Sequence, residues 1–167
     1  DFLDKDNPLR KIPTLLVDNL PIIDSDNICL YFDSITKKNT LFPKEKYWQI
    51  MSYTSVANGL MESILERFME ISRPDGEKSL NFINKLETRA FRSINWLENN
   101  LKNFNDNIFT MDKIAIACAL EYTVFRFTDK WQENNKNLSI WLENFQKNDF
   151  MKSTIPDLTL TPKPKLS

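Results

Sequence analysis

The stretch from Asn7 to Ser25 reads NPLRKIPTLLVDNLPIIDS and holds two short apolar runs, TLLV at 14–17 and LPII at 20–23. Asp18 and Asn19 separate the runs, and both residue types are typical of tight turns. Pro21 is acceptable near the start or the edge of a strand, because proline cannot donate to the hydrogen-bond ladder. The pattern therefore predicts a β-hairpin.

A helix is expected directly after the second run. Asp24 or Ser25 can cap its N-terminus, and Ile28, Tyr31 and Ile35 recur at helical spacing. The unpaired N–H groups and the dipole at such a helix start favour an anion. From the residues alone, a plain N-cap that binds nothing is the more common reading of Asp24 and Ser25.

From residue 44 onward the apolar residues recur with a period of 3.6 and predict a bundle of four or more helices. The sequence RPDG at 73–76 interrupts the pattern, and Thr110 is expected to cap the third helix of the bundle. Residues 114–120 are apolar on nearly all sides, which predicts a central helix, and a fourth helix is expected at about 137–146. Two apolar stripes carry this prediction: Val56, Leu60, Ile64, Phe68 and Ile71; then Leu80, Ile83, Leu86, Ala90, Ile94, Leu97 and Leu101.

Composition excludes several classes of function. The 167 residues include no histidine, two cysteines and two glycines, with a net charge of −1. Histidine-dependent triads, histidine-based or cysteine-based metal sites and glycine-rich phosphate loops are therefore not expected. Neutrality argues against a nucleic-acid partner, and the longest apolar run, 114–120, is too short to cross a membrane. With no signal peptide recognised, a cytoplasmic location is predicted, and Cys29 and Cys118 are interpreted as buried small apolar residues.

Four segments together resemble the cytosolic glutathione S-transferases, most strongly the bacterial members: NPLRKIPTL, IIDS, TMDKIAIACALEYTVFRF and FQKNDFMKSTIP. The resemblance begins at the third strand of that family's thioredoxin-like domain. It implies an α+β two-domain fold, with part of the thioredoxin-like domain at residues 1–38 and an all-α helical domain at 39–160. Residues 161–167 are expected to form a loose tail.

The family places a β-α-β segment, with the catalytic Ser, Tyr or Cys, before the point that matches Asp1. We therefore expect the sequence to be a fragment and its catalytic residue to lie upstream. The family also usually has Asp three residues after the cap that matches Thr110. Here that position is Lys113, and Asp112 lies one residue early, which puts a reciprocal capping box in question; Phe109 and Ile114 are placed for a hydrophobic staple.

The resemblance implies five glutathione-binding residues: Lys11, Ile12, Pro13, Asp24 and Ser25. A cis bond before Pro13 would let the backbone of Ile12 pair with the cysteinyl backbone of glutathione. Ser25 would bind the γ-glutamyl carboxylate, Asp24 the ammonium group and Lys11 the glycine carboxylate. The residues alone leave open a trans Pro13, a solvated Lys11 and a simple N-cap, and Arg10 stands where relatives often have glycine.

The function implied is that of a glutathione S-transferase, which transfers the glutathione thiolate to a small apolar electrophile. Glutathione would be the co-substrate without a metal, and a homodimer is expected. Tyr122 and Phe125 are among the aromatic residues considered for the wall of an apolar co-substrate pocket. A second hypothesis is a non-catalytic regulator of the same fold, similar to stringent-starvation proteins that contact RNA polymerase. A third is a plain helical interaction module with a trans Pro13 and no glutathione binding.

Overall fold

The computed structural model describes residues 4–36 and 40–155. The chain divides into two compact units, Asp1–Tyr47 and Trp48–Ser167. The domain boundary predicted between residues 38 and 39 and the tail predicted at 161–167 involve positions outside the described residues. Those limits stay predictions.

The first unit contains the predicted hairpin. Strand β1 (Thr14–Val17) is antiparallel to strand β2 (Leu20–Ile23), with Thr14 opposite Ile23 and Val17 opposite Leu20. Asp18 and Asn19 have φ values of 48° and 68°. Two consecutive positive φ angles are what a two-residue turn of type I′ requires, and Asp and Asn are the non-glycine residues that adopt them most readily. The hairpin prediction is confirmed.

Helix α1 (Ser25–Ile35) follows β2 without a loop. Its last turn anchors the chain that comes after it, because both oxygens of Asp33 accept hydrogen bonds. The N–H of Leu41 donates to one at 2.6 Å, and the hydroxyl of Thr40 donates to the other at 2.6 Å. A short 3₁₀ turn, Lys44–Lys46, leads into the next helix.

The rest of the described chain is helical. Ser79 caps α3 by accepting from the N–H of Phe82 at 3.2 Å, and Gly76 supplies a positive φ of 90° in the loop before it. The long predicted helices are confirmed, whereas two short C-terminal helices were not predicted separately because neither completes two turns. The helices are α2 (Tyr47–Ile71), α3 (Leu80–Asn99), α4 (Met111–Arg126), α5 (Trp131–Asn134), α6 (Lys136–Phe145) and α7 (Asp149–Ser153), with a 3₁₀ turn at Leu101–Asn103.

Helix α4 lies at the centre of the second unit, as its apolar sequence predicts. Ile116 and Leu120 are completely buried. The predicted stripe of α3 packs into the same core through Ala90, Ile94 and Leu97. Because one side of α3 is buried and the other carries charged residues, the 3.6-residue period of its apolar side chains matches the observed packing.

The N-terminus of α4 differs from a capping box. Thr110 makes no side-chain hydrogen bond to the helix backbone. Instead Lys113, which is 3% exposed, turns its amine toward the loop before the helix. The amine donates to the carbonyl of Asp106 at 2.7 Å, to the carbonyl of Ile108 and to the carboxylate of Asp106. Phe109 stacks on Phe145, with ring centroids 5.7 Å apart, and its staple contact with Ile114 stays a prediction.

Candidate functional site

The hairpin register brings two parts of the predicted site to one end of the first unit. Because Thr14 is opposite Ile23, the residues before Thr14 and those after Ile23 both lie at the open end of the hairpin. The five predicted site residues lie at that end, and all five are exposed: Lys11, Ile12, Pro13, Asp24 and Ser25. Residues far apart in the quoted stretch are thus brought to the same end of a two-stranded ladder.

Ile12 is 82% exposed, which is unusual for a large apolar side chain. The peptide bond between Ile12 and Pro13 is cis. The cis prediction is confirmed, and the alternative of an ordinary trans proline is wrong. The backbone of Ile12 therefore lies at the surface beside the end of β1, before the ladder begins.

Asp24 caps helix α1. One carboxylate oxygen of Asp24 accepts from the N–H of Asp26 at 3.0 Å, and the residue has φ 81° and ψ 137°. A carboxylate has two oxygens, so a cap of this kind leaves acceptor capacity on an exposed side chain. Ser25 is the first helical residue, where N–H groups have no partner within the helix and attract anions. The N-cap reading of Asp24 is confirmed, and it is compatible with ligand binding.

Arg10 introduces a surface charge beside Lys11. Its guanidinium pairs with the carboxylate of Asp4 through two contacts, Nε to Oδ1 at 2.5 Å and Nη2 to Oδ2 at 2.9 Å. Arg10 has a φ of 53°, in the left-handed region that favours glycine. The backbone conformation at this position is thus one that glycine would adopt without strain, and the arginine side chain is exposed.

Known proteins are similar to this chain in sequence and in fold. No family model matches the chain. The uncharacterized GST-like protein YibF of Escherichia coli K12 is 26% identical over 157 residues, covering 90% of this chain and 78% of YibF. A glutathione transferase family member from Pseudomonas fluorescens Pf-5, solved with bound glutathione, superposes with a TM-score of 0.89 at 27% identity, covering 93% of this chain and 78% of that one. A glutathione S-transferase from Methylobacillus flagellatus KT, solved with GSH bound, gives a TM-score of 0.87 at 26% identity, covering 93% and 80%.

The chain has the fold of the glutathione transferases and is similar in sequence to bacterial ones. The predicted fold class is confirmed with it: part of a thioredoxin-like domain is followed by a helical domain. The similarity to these bacterial proteins extends through both units, since it covers at least nine-tenths of the chain.

Sequence reasoning missed a residue in the site loop of this glutathione transferase relative. Asn7 is completely buried. Its side-chain amide donates to the carbonyl of Lys11 at 2.6 Å and to the hydroxyl of Thr14 at 2.9 Å. Its carbonyl oxygen accepts from the N–H of Leu9 at 3.0 Å. The available signal was the Asn-Pro pair, which is typical of a turn start, but that signal does not reveal burial.

The two cysteines are not both buried. Cys29 is half-buried, and burial, followed by the charge of Asp26, raises the pKa of its thiol above the usual value of 9.0. Less of that thiol is ionised at neutral pH, so it is a poor nucleophile. Cys118 is exposed, and the prediction that it is buried was wrong. The neighbouring residues of α4 are apolar on nearly every side of the helix. The period of apolar residues therefore does not show which side of α4 is exposed.

The helical unit contains an apolar cavity of about 560 Å³. Tyr122 and Phe125 of α4 line it, together with Cys118, Met151 and Ile155. Three polar residues also line it, Glu121, Gln146 and Thr154, and the amide of Gln146 donates to Glu121 at 2.9 Å. Its volume and lining are those of a site for a small apolar molecule.

The described residues contain neither a cluster suited to a metal ion nor a helix suited to crossing a membrane. Within residues 4–36 and 40–155, no group of three or more acidic or cysteine side chains is placed to hold a metal ion. Over the same ranges, no helix has both the length and the apolar character needed to cross a membrane.

Proposed function

We propose that this protein binds glutathione at the open end of the hairpin and transfers its thiolate to a small apolar electrophile. The observation that carries the proposal is the register of β1 and β2, which supports a single site formed by residues 11–13 and 24–25. Glutathione transferases from two bacteria, with the same fold as this chain, were solved with glutathione or GSH bound.

The chemistry of each end of glutathione suits one part of this site. The γ-glutamyl carboxylate would bind the hydroxyl and N–H of Ser25 at the start of α1, where the helix dipole favours an anion. Asp24 would accept from the adjacent ammonium group with its remaining acceptor capacity. The cysteinyl backbone would pair with Ile12 as an added strand, and Lys11 would attract the glycine carboxylate as a point charge.

Paired substitutions at Asp24 separate ligand binding from helix capping. Asn caps a helix about as well as Asp, so Asp24→Asn should leave the free energy of unfolding nearly unchanged. Loss of the charge should weaken glutathione binding about tenfold, since hydrogen bonds between charged groups contribute more than neutral ones. Asp24→Ala should lose both the binding and about 1 kcal/mol of stability.

Isothermal titration calorimetry with reduced glutathione measures the binding, and urea unfolding measures the stability. The α-linked tripeptide Glu-Cys-Gly is the matched control ligand, because it has the same atoms with the carboxylate and ammonium groups displaced. Equal affinity of the wild type for both tripeptides, or unchanged affinity in Asp24→Asn, would contradict the assigned contacts. No heat of binding with the wild type would contradict the proposal itself.

The apolar cavity supports an apolar second substrate on the helical unit. Tyr122 and Phe125 present aromatic surface there, as expected for a pocket that receives an apolar electrophile. Thioether formation from glutathione and an activated aryl halide, followed by absorbance, tests the transfer step. Binding of glutathione without turnover, in a protein that includes the catalytic residue expected upstream from the family resemblance, would favour the non-catalytic regulator of the same fold. A cytoplasmic location and a homodimer complete the proposal, and both rest on the family resemblance.

A further inference from the structure

The loop that precedes β1 is organised around one buried side chain. Asn7 is 0% exposed, although it lies in a loop of largely exposed residues. Its own carbonyl accepts from the N–H of Arg10 at 3.0 Å, and its side chain makes the three hydrogen bonds described above. A buried amide with its donors and acceptor satisfied holds its neighbours in one arrangement.

Three of these groups form a closed network. The amide of Asn7 donates to the carbonyl of Lys11 and to the hydroxyl of Thr14, and the Thr14 hydroxyl is 3.2 Å from the same Lys11 carbonyl. The Lys11 carbonyl thus accepts two hydrogen bonds from the interior side of the loop. Its direction is set by Asn7 and Thr14 together.

The direction of that carbonyl determines the direction of the next N–H. The carbonyl of Lys11 and the N–H of Ile12 belong to the same planar trans peptide unit, so they point in opposite directions. Since the carbonyl points to the buried Asn7, the N–H of Ile12 points away from it. Ile12 is 82% exposed, so the outward side of this peptide faces solvent.

We infer that Asn7 is a positioning residue for glutathione, which fixes the Lys11–Ile12 peptide so that the Ile12 N–H meets the cysteinyl carbonyl of the ligand. The inference rests on the proposed function and adds to it a residue that does not touch the ligand. Asn7 acts through the Lys11 carbonyl, and the cost of ordering this peptide is met before the ligand arrives.

Asn7→Asp tests the inference with almost no change in shape. The aspartate keeps an acceptor for the N–H of Leu9 but replaces the donor to Lys11 with an oxygen. We expect glutathione to bind about tenfold more weakly, the usual effect of one misplaced hydrogen bond. Thr14→Val removes one of the two donors to the same carbonyl and should weaken binding about threefold. This second variant keeps the test decisive if Asn7→Asp does not fold.

A shorter ligand distinguishes positioning from general destabilisation. γ-Glutamylmethylamide has the γ-glutamyl end of glutathione but no cysteinyl carbonyl, so the Ile12 N–H has no acceptor on it. Its affinity, followed by amide chemical shifts, should stay within about twofold of wild type in Asn7→Asp, because the helix N-terminus that receives it is intact. Val17→Ala, on β1 and half-buried, controls for lost stability and should bind both ligands as the wild type does.

The outcomes distinguish failure of the positioning role of Asn7 from failure of the proposed function. If folded Asn7→Asp and Thr14→Val bind glutathione as tightly as the wild type, the positioning role is wrong and the proposed function stands. If both ligands weaken equally in Asn7→Asp, the residue is only structural and the inference is again wrong. If the wild type does not bind glutathione, the proposed function fails first and the inference fails with it.

Discussion

At the scale of single residues, the most informative side chains are buried polar groups near chain turns. Asp112 is 2% exposed and lies in the first turn of α4. Burial raises the pKa of its carboxyl above the usual value of 3.8, and hydrogen bonds from Thr110 and from the backbone offset only part of this effect. One of its oxygens has no hydrogen-bond partner. The ionised form of Asp112 is therefore less stable in the folded protein than in water.

This shift predicts a pH-dependent gain from Asp112→Asn. The folded state binds the proton more tightly than the unfolded state, so stability is lost as the pH rises from about 3.8 through the raised pKa of the folded state. Asparagine does not titrate and should remove this loss. Relative to wild type, the free energy of unfolding of the variant should increase as the pH rises through that window.

Urea unfolding at a series of pH values measures the difference between variant and wild type. Asp149→Asn is the matched control, because the Asp149 side chain is fully exposed. The difference in free energy of unfolding between Asp149→Asn and wild type should not increase with pH in the same way. A constant difference for Asp112→Asn across the window would show that burial does not control this carboxyl.

At the scale of elements, helix α4 has a buried lysine where the family resemblance implies an acidic capping residue. The Lys113 amine satisfies two carbonyls of the preceding loop and the carboxylate of Asp106. Lys113 side-chain exposure is 4%, whereas that of Asp106 is 37%. Hydrogen bonds to the preceding loop therefore offset most of the free-energy cost of removing the Lys113 amine from water. The same bonds hold that loop against the start of α4.

Lys113→Met tests the contribution of this amine. Methionine keeps most of the apolar stem and removes the donor, so two loop carbonyls lose a partner. We expect the free energy of unfolding to fall by about 2–3 kcal/mol, from the loss of the charged hydrogen bonds that the buried amine makes. Lys130→Met, at an exposed position of the same unit, should change it by less than about 0.5 kcal/mol. Similar stability of the two variants in urea unfolding would contradict this role.

At the scale of the whole molecule, burial differs strongly between elements. Helix α4 has nine buried residues, whereas α1 has none. Segments with few buried contacts open locally at low cost, and central helices exchange their amide protons only on global unfolding.

Amide hydrogen exchange should reveal this difference. The N–H groups of Ile116 and Leu120 in α4 should exchange more than about 100-fold slower than those in the middle of α1, after correction for intrinsic rates. Nuclear magnetic resonance or mass spectrometry at neutral pH measures both sets in one sample. Equal protection in α1 and α4 would mean that the first unit does not open separately from global unfolding.

The sequence by itself determined the local structure of this protein. Local features depend on neighbours within a few positions, so they can be predicted from the sequence. These features are the turn residues at 18–19, the cap at Asp24 and the 3.6-residue period of α2 and α3. The candidate site residues Lys11, Ile12, Pro13, Asp24 and Ser25 came from the family resemblance, and their roles stay predictions. Only the tertiary structure decided which polar and apolar groups are buried. The burial of Asn7, the partners of Lys113 and the exposure of Cys118 depend on how loops and helix faces pack, and periodicity does not encode that packing.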